Sequence, residues 1–251
     1  MMKSLYFLSR LFLQEGIFIA LGKILFWFAG LGYAGNSTNK EAKILKKILK
    51  PSKHPLIWDI GANHGQYASS LIQYFPNARI FIFEPAKTCF EILNTKFAGK
   101  SDISIFQIAV GDSNQERQLY YDEMGSVLAS LIDRKSTCTL FTKSEIVKSM
   151  TIDSFLSLNP TIPDFIKLDI EGFEYKALTH AKSILSLGVP IQFEFGSASI
   201  EAKVLFKDLW DLFGNYNYSM YRITPLGLRK VYIYRPVLEY PGASNYLAIK
   251  K

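Results

Sequence analysis

Two cysteines in 251 residues, Cys89 and Cys138, leave no material for a disulfide scaffold, and without a C-x-x-C spacing they offer no ligand set for zinc or a redox pair. Both read as reduced thiols of a cytoplasmic protein. With 16 Gly and 10 Pro the chain is too poor in turn formers to be collagenous or low in complexity. A membrane span wants roughly 20 predominantly apolar residues. The one apolar stretch of that length, Leu5 to Tyr33, is broken by Arg10, Glu15 and Lys23. No small-residue cleavage site stands out before Gly30, so a secretory leader fits poorly as well. The G-x-G-x-x-G fingerprint of dinucleotide binding is missing, and so is an Asn-Pro-Pro-Tyr-like stretch.

What remains is a globular composition, 49% hydrophobic with 20% charged residues. The net charge of +7 is unevenly placed. Residues 1–55 carry nine basic side chains against two acidic ones, and the other 196 residues are neutral. The basic excess therefore belongs to an N-terminal segment, with residues 56–251 as the main domain, and a neutral main domain argues against nucleic acid as partner.

On a helical wheel Ser4, Arg10, Gln14 and Glu15 oppose Leu5, Leu8, Phe12 and Leu13, which predicts a modestly amphipathic helix over residues 4–15. After Gly16 the pattern is apolar nearly all round. Ile44, Leu45, Ile48 and Leu49 make a helical stripe with lysines on the other faces, so a second helix runs from about Asn39 to Leu49 and stops before Pro51. Such helices pack on the main domain or across a homodimer with the lysines solvated. Alternatively, residues 1–50 hold the protein peripherally on an anionic membrane at its cytoplasmic face.

From Leu56 onward short β-rich runs alternate with helical patterns, the signature of a parallel sheet covered by helices. Strands are predicted at Leu56–Ile60, Arg79–Glu84, Ile103–Val110, Asp164–Asp169 and Val189–Phe195, with helices near 65–75, 87–98, 173–186 and 201–213. Arg117–Tyr121 adds a short strand. The β runs Tyr216–Ile223 and Ser244–Ile249 have no helix between them, so an antiparallel pair ends the sheet.

Chemistry-bearing residues collect at the predicted carboxyl ends of these strands. Asp59-Ile60-Gly61-Ala62-Asn63-His64-Gly65 leads the first strand through small residues into a helix, where a ligand can approach the backbone closely. Glu84 ends the second strand at the place of an acid that binds ribose hydroxyls. Ala109-Val110-Gly111-Asp112 ends the third. Asp59 beside the first turn would repel the pyrophosphate of NAD but suits a cationic sulfonium. Lys167-Leu168-Asp169-Ile170-Glu171-Gly172-Phe173-Glu174 places Asp169 and Glu171 two apart at another strand end, where they share a side.

Taken together, Asp59 to Tyr67, Glu84-Pro85, Ala109 to Asp112, Thr151-Ile152-Asp153 and Lys167 to Glu174 resemble the FkbM-type S-adenosylmethionine-dependent methyltransferases from about Leu56 to the C-terminus. The resemblance implies the class I methyltransferase (Rossmann-like) α/β fold, a seven-stranded, mostly parallel sheet with an antiparallel last strand, here with N-terminal helices added. It implies O-methylation of a hydroxyl on a sugar, glycolipid or secondary metabolite. Carried over, Asp59, Gly61, Ala62, Asn63 and Gly65 would line the methionine part of S-adenosyl-L-methionine, Glu84 would hold the ribose, and Asp112 and Ser126 would sit by the adenine.

Methyl transfer from a sulfonium is an in-line displacement, and a protonated hydroxyl needs a base. Asp169 is the first candidate and Glu171 the second, with His64 and Glu194 behind them. Capping of the following helix is the competing account of the two acids. Asp169, Glu171 and Glu194 are also an oxygen set that Mg2+ accepts, although no metal ligand is assigned. The rival functions are an NAD-dependent oxidoreductase, a nucleic-acid methyltransferase and a non-catalytic binding protein on a membrane surface.

Overall fold

A computed structural model describes residues 16–32, 38–49, 54–126, 128–133 and 141–251. The helix predicted over residues 4–15 and Cys138 lie outside the described residues.

The centre is a sheet whose middle strands, Leu56–Ile60 and Phe165–Leu168, are buried from end to end because helices cover both faces. β1 (Leu56–Ile60), β2 (Arg79–Phe83), β3 (Ile103–Phe106), β7 (Phe165–Leu168) and β8 (Ile191–Phe195) run parallel. β9 (Tyr218–Thr224), β10 (Gly227–Val231) and β11 (Ser244–Lys250) complete it in the order β10-β9-β11-β8-β7-β1-β2-β3. β11, last in the chain, inserts antiparallel between β8 and β9, which is the expected class I arrangement. The sheet has eight strands rather than seven. The extra one, β10, is a hairpin return from β9 within the Pro- and Gly-containing segment, where its short run gave no periodic signal.

The third predicted strand also divides. Ile103–Phe106 stays in the main sheet, whereas β4 (Ala109–Val110) pairs with β6 (Lys143–Met150) and, through it, β5 (Gln115–Tyr121) in a second, three-stranded sheet. α3 (Gln66–Tyr74) and α4 (Lys87–Lys96) lie close to their predicted places. A helix expected as one piece over 173–186 breaks into α6 (Glu174–Thr179) and α7 (Lys182–Leu187), and that over 201–213 into α8 (Ser197–Glu201) and α9 (Phe206–Asn215). α5 (Ile152–Leu158) starts at Thr151, whose hydroxyl accepts from the Ser154 N–H at 3.1 Å.

Strand alternation sends Trp58 and Ile60 to one face and Ile57 to the other. On the first face Trp58, Phe83, Phe106 and Phe155 form a closed aromatic cluster, with ring centroids between 4.7 and 5.5 Å for the Phe83–Phe155 and Trp58–Phe83 pairs. On the second face the N-terminal segment takes part. α2 (Thr38–Ile48) buries Ala42 and Leu45 beside Ile57, Leu71 and Leu247, so its stripe packs on the domain while Lys40, Lys43, Lys46 and Lys47 stay exposed. α1, helical over residues 16–28, precedes it. Among the described residues no helix is long and apolar enough to cross a membrane.

Candidate functional site

At the carboxyl edge of β1, β2, β7 and β8 the chain encloses a cavity of about 350 Å3, within the usual range for small-molecule sites. The loop after β1 forms its floor. Gly61 has φ +78°, and a Cβ there would stand 1.7 Å from the Asp169 carbonyl oxygen, so the first and fourth strand-end loops touch through a residue that must be glycine. Asn63 continues the turn at φ 47° and donates from Nδ2 to the Ser126 carbonyl at 3.0 Å, tying in the loop after β5.

Glu84 closes the second side. Its carboxylate accepts from the Asn63 N–H at 2.7 Å and the Ala86 N–H at 3.0 Å. Burial pushes its pKa up to about 7, although these hydrogen bonds oppose the shift. Phe83, Ile108, Val110, Leu119 and Leu131 supply an apolar slot beside it.

The third side is acidic. Carboxylate oxygens of Asp169, Glu171 and Glu194 lie within 4.8 Å of one another. Burial, then the like charges of Asp169, Glu171 and Glu174, push the Glu194 carboxyl well above its ordinary range. Lys167 Nζ stands 3.0 Å from Asp169 and 3.8 Å from Asp59. Burial opposes its charge, but Asp169 and Asp59 outweigh that and hold the ammonium above its ordinary value. Register explains the contact: Asp59, Lys167 and Gln192 are neighbours across β1, β7 and β8, a polar row inside an otherwise apolar sheet. The row continues into the helices. Tyr67 Oη donates to Gln192 Oε1 at 3.1 Å, and Gln192 and Asn245 donate to the buried Glu41 of α2 at 2.7 and 2.9 Å. Thr38, at the start of α2, lines the cavity.

Of the residues expected from sequence, Gly61, Ala62, Asn63, Glu84, Ser126, Asp169 and Glu171 line the cavity, as do His64 and Glu194. Three do not. Asp59 is fully buried behind the floor and reaches the cavity only through Lys167. Gly65 starts α3 at φ 69°, packed under Leu93 and Phe97. Asp112 pairs with Arg117 and accepts from Ser113 Oγ at 3.0 Å, because the chain turns into the second sheet at Ala109 and carries it away from the cavity.

Sequence reasoning gave no role in the site to Lys167, Glu174, Tyr67 or Thr38. A lysine inside the apolar run Phe165-Ile166-Lys167-Leu168 was the available signal. Glu174 turns back to accept from the N–H groups of Ile170 and Gly172 at 2.8 and 3.0 Å, and burial pushes its pKa up to about 8. It fixes the loop that presents Asp169 and Glu171, whose own φ is 53°. Glu174→Ala leaves both donors without a partner, and thermal or urea unfolding should read a loss of about 2–4 kcal/mol.

The sequence profile described as the methyltransferase FkbM domain matches residues 59–220, well over half the chain. This chain belongs to the FkbM methyltransferase family. The matched region holds every cavity residue discussed above except Thr38, and as a family of S-adenosylmethionine-dependent enzymes it gives no support to Mg2+. A 2-O-methyltransferase NoeI of Sinorhizobium fredii (strain NBRC 101917 / NGR234) is 31% identical over 104 residues, which are 41% of this chain and 42% of that protein. The match thus spans less than half of that relative's length. Among solved structures, the precorrin-6y C5,15-methyltransferase of Geobacter metallireducens GS-15 is 10% identical, with 84% of this chain and 88% of that one covered and a TM-score of 0.46. A fibrillarin of Methanococcus jannaschii is 14% identical, with 86% and 76% covered and a TM-score of 0.48. The FkbM assignment rests on the sequence match, and the strand order described above stands independently of these distant structures.

Proposed function

We propose that the cavity binds S-adenosyl-L-methionine and that the domain transfers its methyl group to a hydroxyl of a sugar, glycan, glycolipid or secondary metabolite. One observation carries the reading: four carboxyl groups, Glu84, Asp169, Glu171 and Glu194, meet in one cavity where Lys167, the one lysine among its described lining residues, is engaged by Asp59 and Asp169. Such a lining repels phosphate and attracts a cation. A nucleoside with a cationic tail fits it, the apolar slot taking the base and Glu84 the ribose hydroxyls. A dinucleotide does not, since its pyrophosphate would meet Asp169 and Glu171. The relative's name, 2-O-methyltransferase, supports a hydroxyl acceptor.

Bound there, S-adenosylmethionine supplies an electrophilic methyl on a sulfonium. Gly61, Ala62 and Asn63 set the floor close enough for a ligand to contact backbone. Asp169, oriented by Lys167, accepts the hydrogen bond of the acceptor hydroxyl and aims its oxygen. Glu194 has the basicity to take the proton, because the environment that raises its pKa makes its ionised form a stronger base. Glu171 adds negative charge at the mouth.

Isothermal titration with S-adenosylmethionine and with NAD tests the reading, and heat with NAD alone would overturn it. The pH dependence is a further expectation. Ribose hydroxyls donate to the ionised form of Glu84, so affinity rises with pH as a carboxyl at about 7 loses its proton. Between pH 6 and pH 8 the dissociation constant should fall about tenfold, and Glu84→Gln should remove that part of the slope.

A further inference from the structure

Among the described residues, α1 is held at its C-terminal end and exposes apolar side chains before it. Arg222 Nη1 donates to the Ala29 carbonyl at 3.0 Å at the C-terminal end of α1, a favourable place for a cation. Leu31 is buried, Gly32 N–H donates to Ser244 Oγ at 2.9 Å, and Phe26 packs on Tyr240 with ring centroids 5.1 Å apart. Before this anchor, Phe18 and Leu25 are 70% and 68% exposed, and Ile17, Ile19 and Leu21 are each more than half exposed. A run of this kind is a contiguous apolar patch rather than scattered surface residues.

The anchor stands on the cavity's edge of the sheet. β9 runs in the same direction as β8, since both are antiparallel to β11, so β9 ends at Thr224 on the carboxyl edge. Ser244, which holds Gly32, pairs with Phe195, the neighbour of Glu194. The β9–β10 turn brings Leu226, 85% exposed, to this edge as well. Lys23 on α1 and Lys40 and Lys43 on α2 are exposed, and α2 begins at the cavity wall.

We propose that α1, with Leu226 and these lysines, docks the domain on an anionic lipid bilayer with the cavity mouth turned toward the headgroups. Charge decides the occupant. A second copy brings the same lysines to this face and leaves their charge uncompensated, whereas an anionic surface satisfies them while its acyl region takes the apolar side chains. Lys23 interrupts the apolar face of α1 and Arg222 ties its C-terminal end to the domain, so α1 lies in the interface. On the proposed methyl transfer, which this clause rests on, the acceptor hydroxyl is then one borne by a lipid.

The full chain is sedimented with vesicles of phosphatidylcholine containing a minority of phosphatidylglycerol. Binding should be at least about tenfold weaker to pure phosphatidylcholine, and Lys40→Glu/Lys43→Glu should weaken the anionic partition about 30-fold or more. Phe18→Ser/Leu25→Ser should weaken it at least about tenfold. Circular dichroism and S-adenosylmethionine titration of both variants separate lost docking from lost folding. Equal sedimentation of all three proteins overturns the proposal. So does wild-type protein that stays in the supernatant as a dimer which Phe18→Ser/Leu25→Ser makes monomeric, since that face then belongs to a second copy. Vesicle binding that persists without S-adenosylmethionine binding upholds docking while refuting the methyl-transfer reading.

Discussion

Asp169→Asn should lower kcat about 10^2- to 10^4-fold while leaving the S-adenosylmethionine dissociation constant within about tenfold. The carboxylate sits at the end of β7 in contact with Lys167 at 3.0 Å, and the amide keeps its size but not its capacity to aim and polarise a hydroxyl. Glu194→Gln should cause a loss of similar size with a different signature. In the wild type kcat should rise as pH increases, because a carboxyl held above its ordinary range gains base strength only as it ionises. The Gln variant should lose that limb, while Asp169→Asn should retain it. Single-turnover transfer to the acceptor across pH separates the two, and an Asp169→Asn enzyme with unchanged kcat would remove Asp169 from the mechanism.

The second large effect concerns stability. Lys167→Met leaves Asp59, fully buried at the centre of the sheet, without its counter-charge, and removing one member of a buried pair costs about 3–5 kcal/mol. The sign with pH follows from Asp59. Burial already raises its pKa in the wild type, with Lys167 opposing, and the substitution raises it further. A carboxyl raised in the folded state contributes stability that is present below its unfolded pKa and lost as pH rises through the folded value. The variant's deficit should therefore be smallest in acid and grow toward neutral and alkaline pH. Adding Asp59→Asn removes the stranded charge, and the double variant should recover about 1–3 kcal/mol relative to additivity. Urea unfolding of the four proteins at two pH values completes the cycle, and an additive double variant would show that Asp59 and Lys167 do not act together.

The first result concerns a residue that was legible in the sequence, and the second a buried pair that was not. Asp169, Glu171 and Glu84 could be read from their places after β-rich runs, since strand ends in a parallel sheet converge on one edge. The same rule also selected Asp112 and Asp59, and for them it misplaced the side chain. Asp112 leaves because β4 departs to the second sheet, a choice made by pairing with β6 some forty residues later. Asp59 is one residue short of the turn, which puts it under the floor beside Lys167. Lys167 itself was visible as a cation in an apolar strand, but its partners come from β1 and from the loop beyond β7, and no local pattern names them.

The N-terminal segment divides in the same way. Its lysines and its apolar stripe over 39–49 are local facts, and α2 follows them closely. That Glu41 enters the domain to meet Gln192 and Asn245, and that Thr38 reaches the cavity, depends on contacts spanning 151 and 204 residues for the Glu41 pair.

By itself the sequence determined the alternating α/β architecture, the glycine turn after the first strand, the acids at the strand ends, and the confinement of the +7 charge to residues 1–55. Each is a matter of period, composition or neighbouring residues, which the chain carries locally. The tertiary structure alone decided which acids share a cavity, that one lysine pairs with Asp169 among them and with Asp59 beneath them, that an eighth strand extends the sheet, and that α1 is anchored on the cavity's edge. Those follow from strand register and from packing between distant segments. Hydrophobic periodicity fixes which face a residue points to, but its neighbours across the sheet are set only when the strands pair.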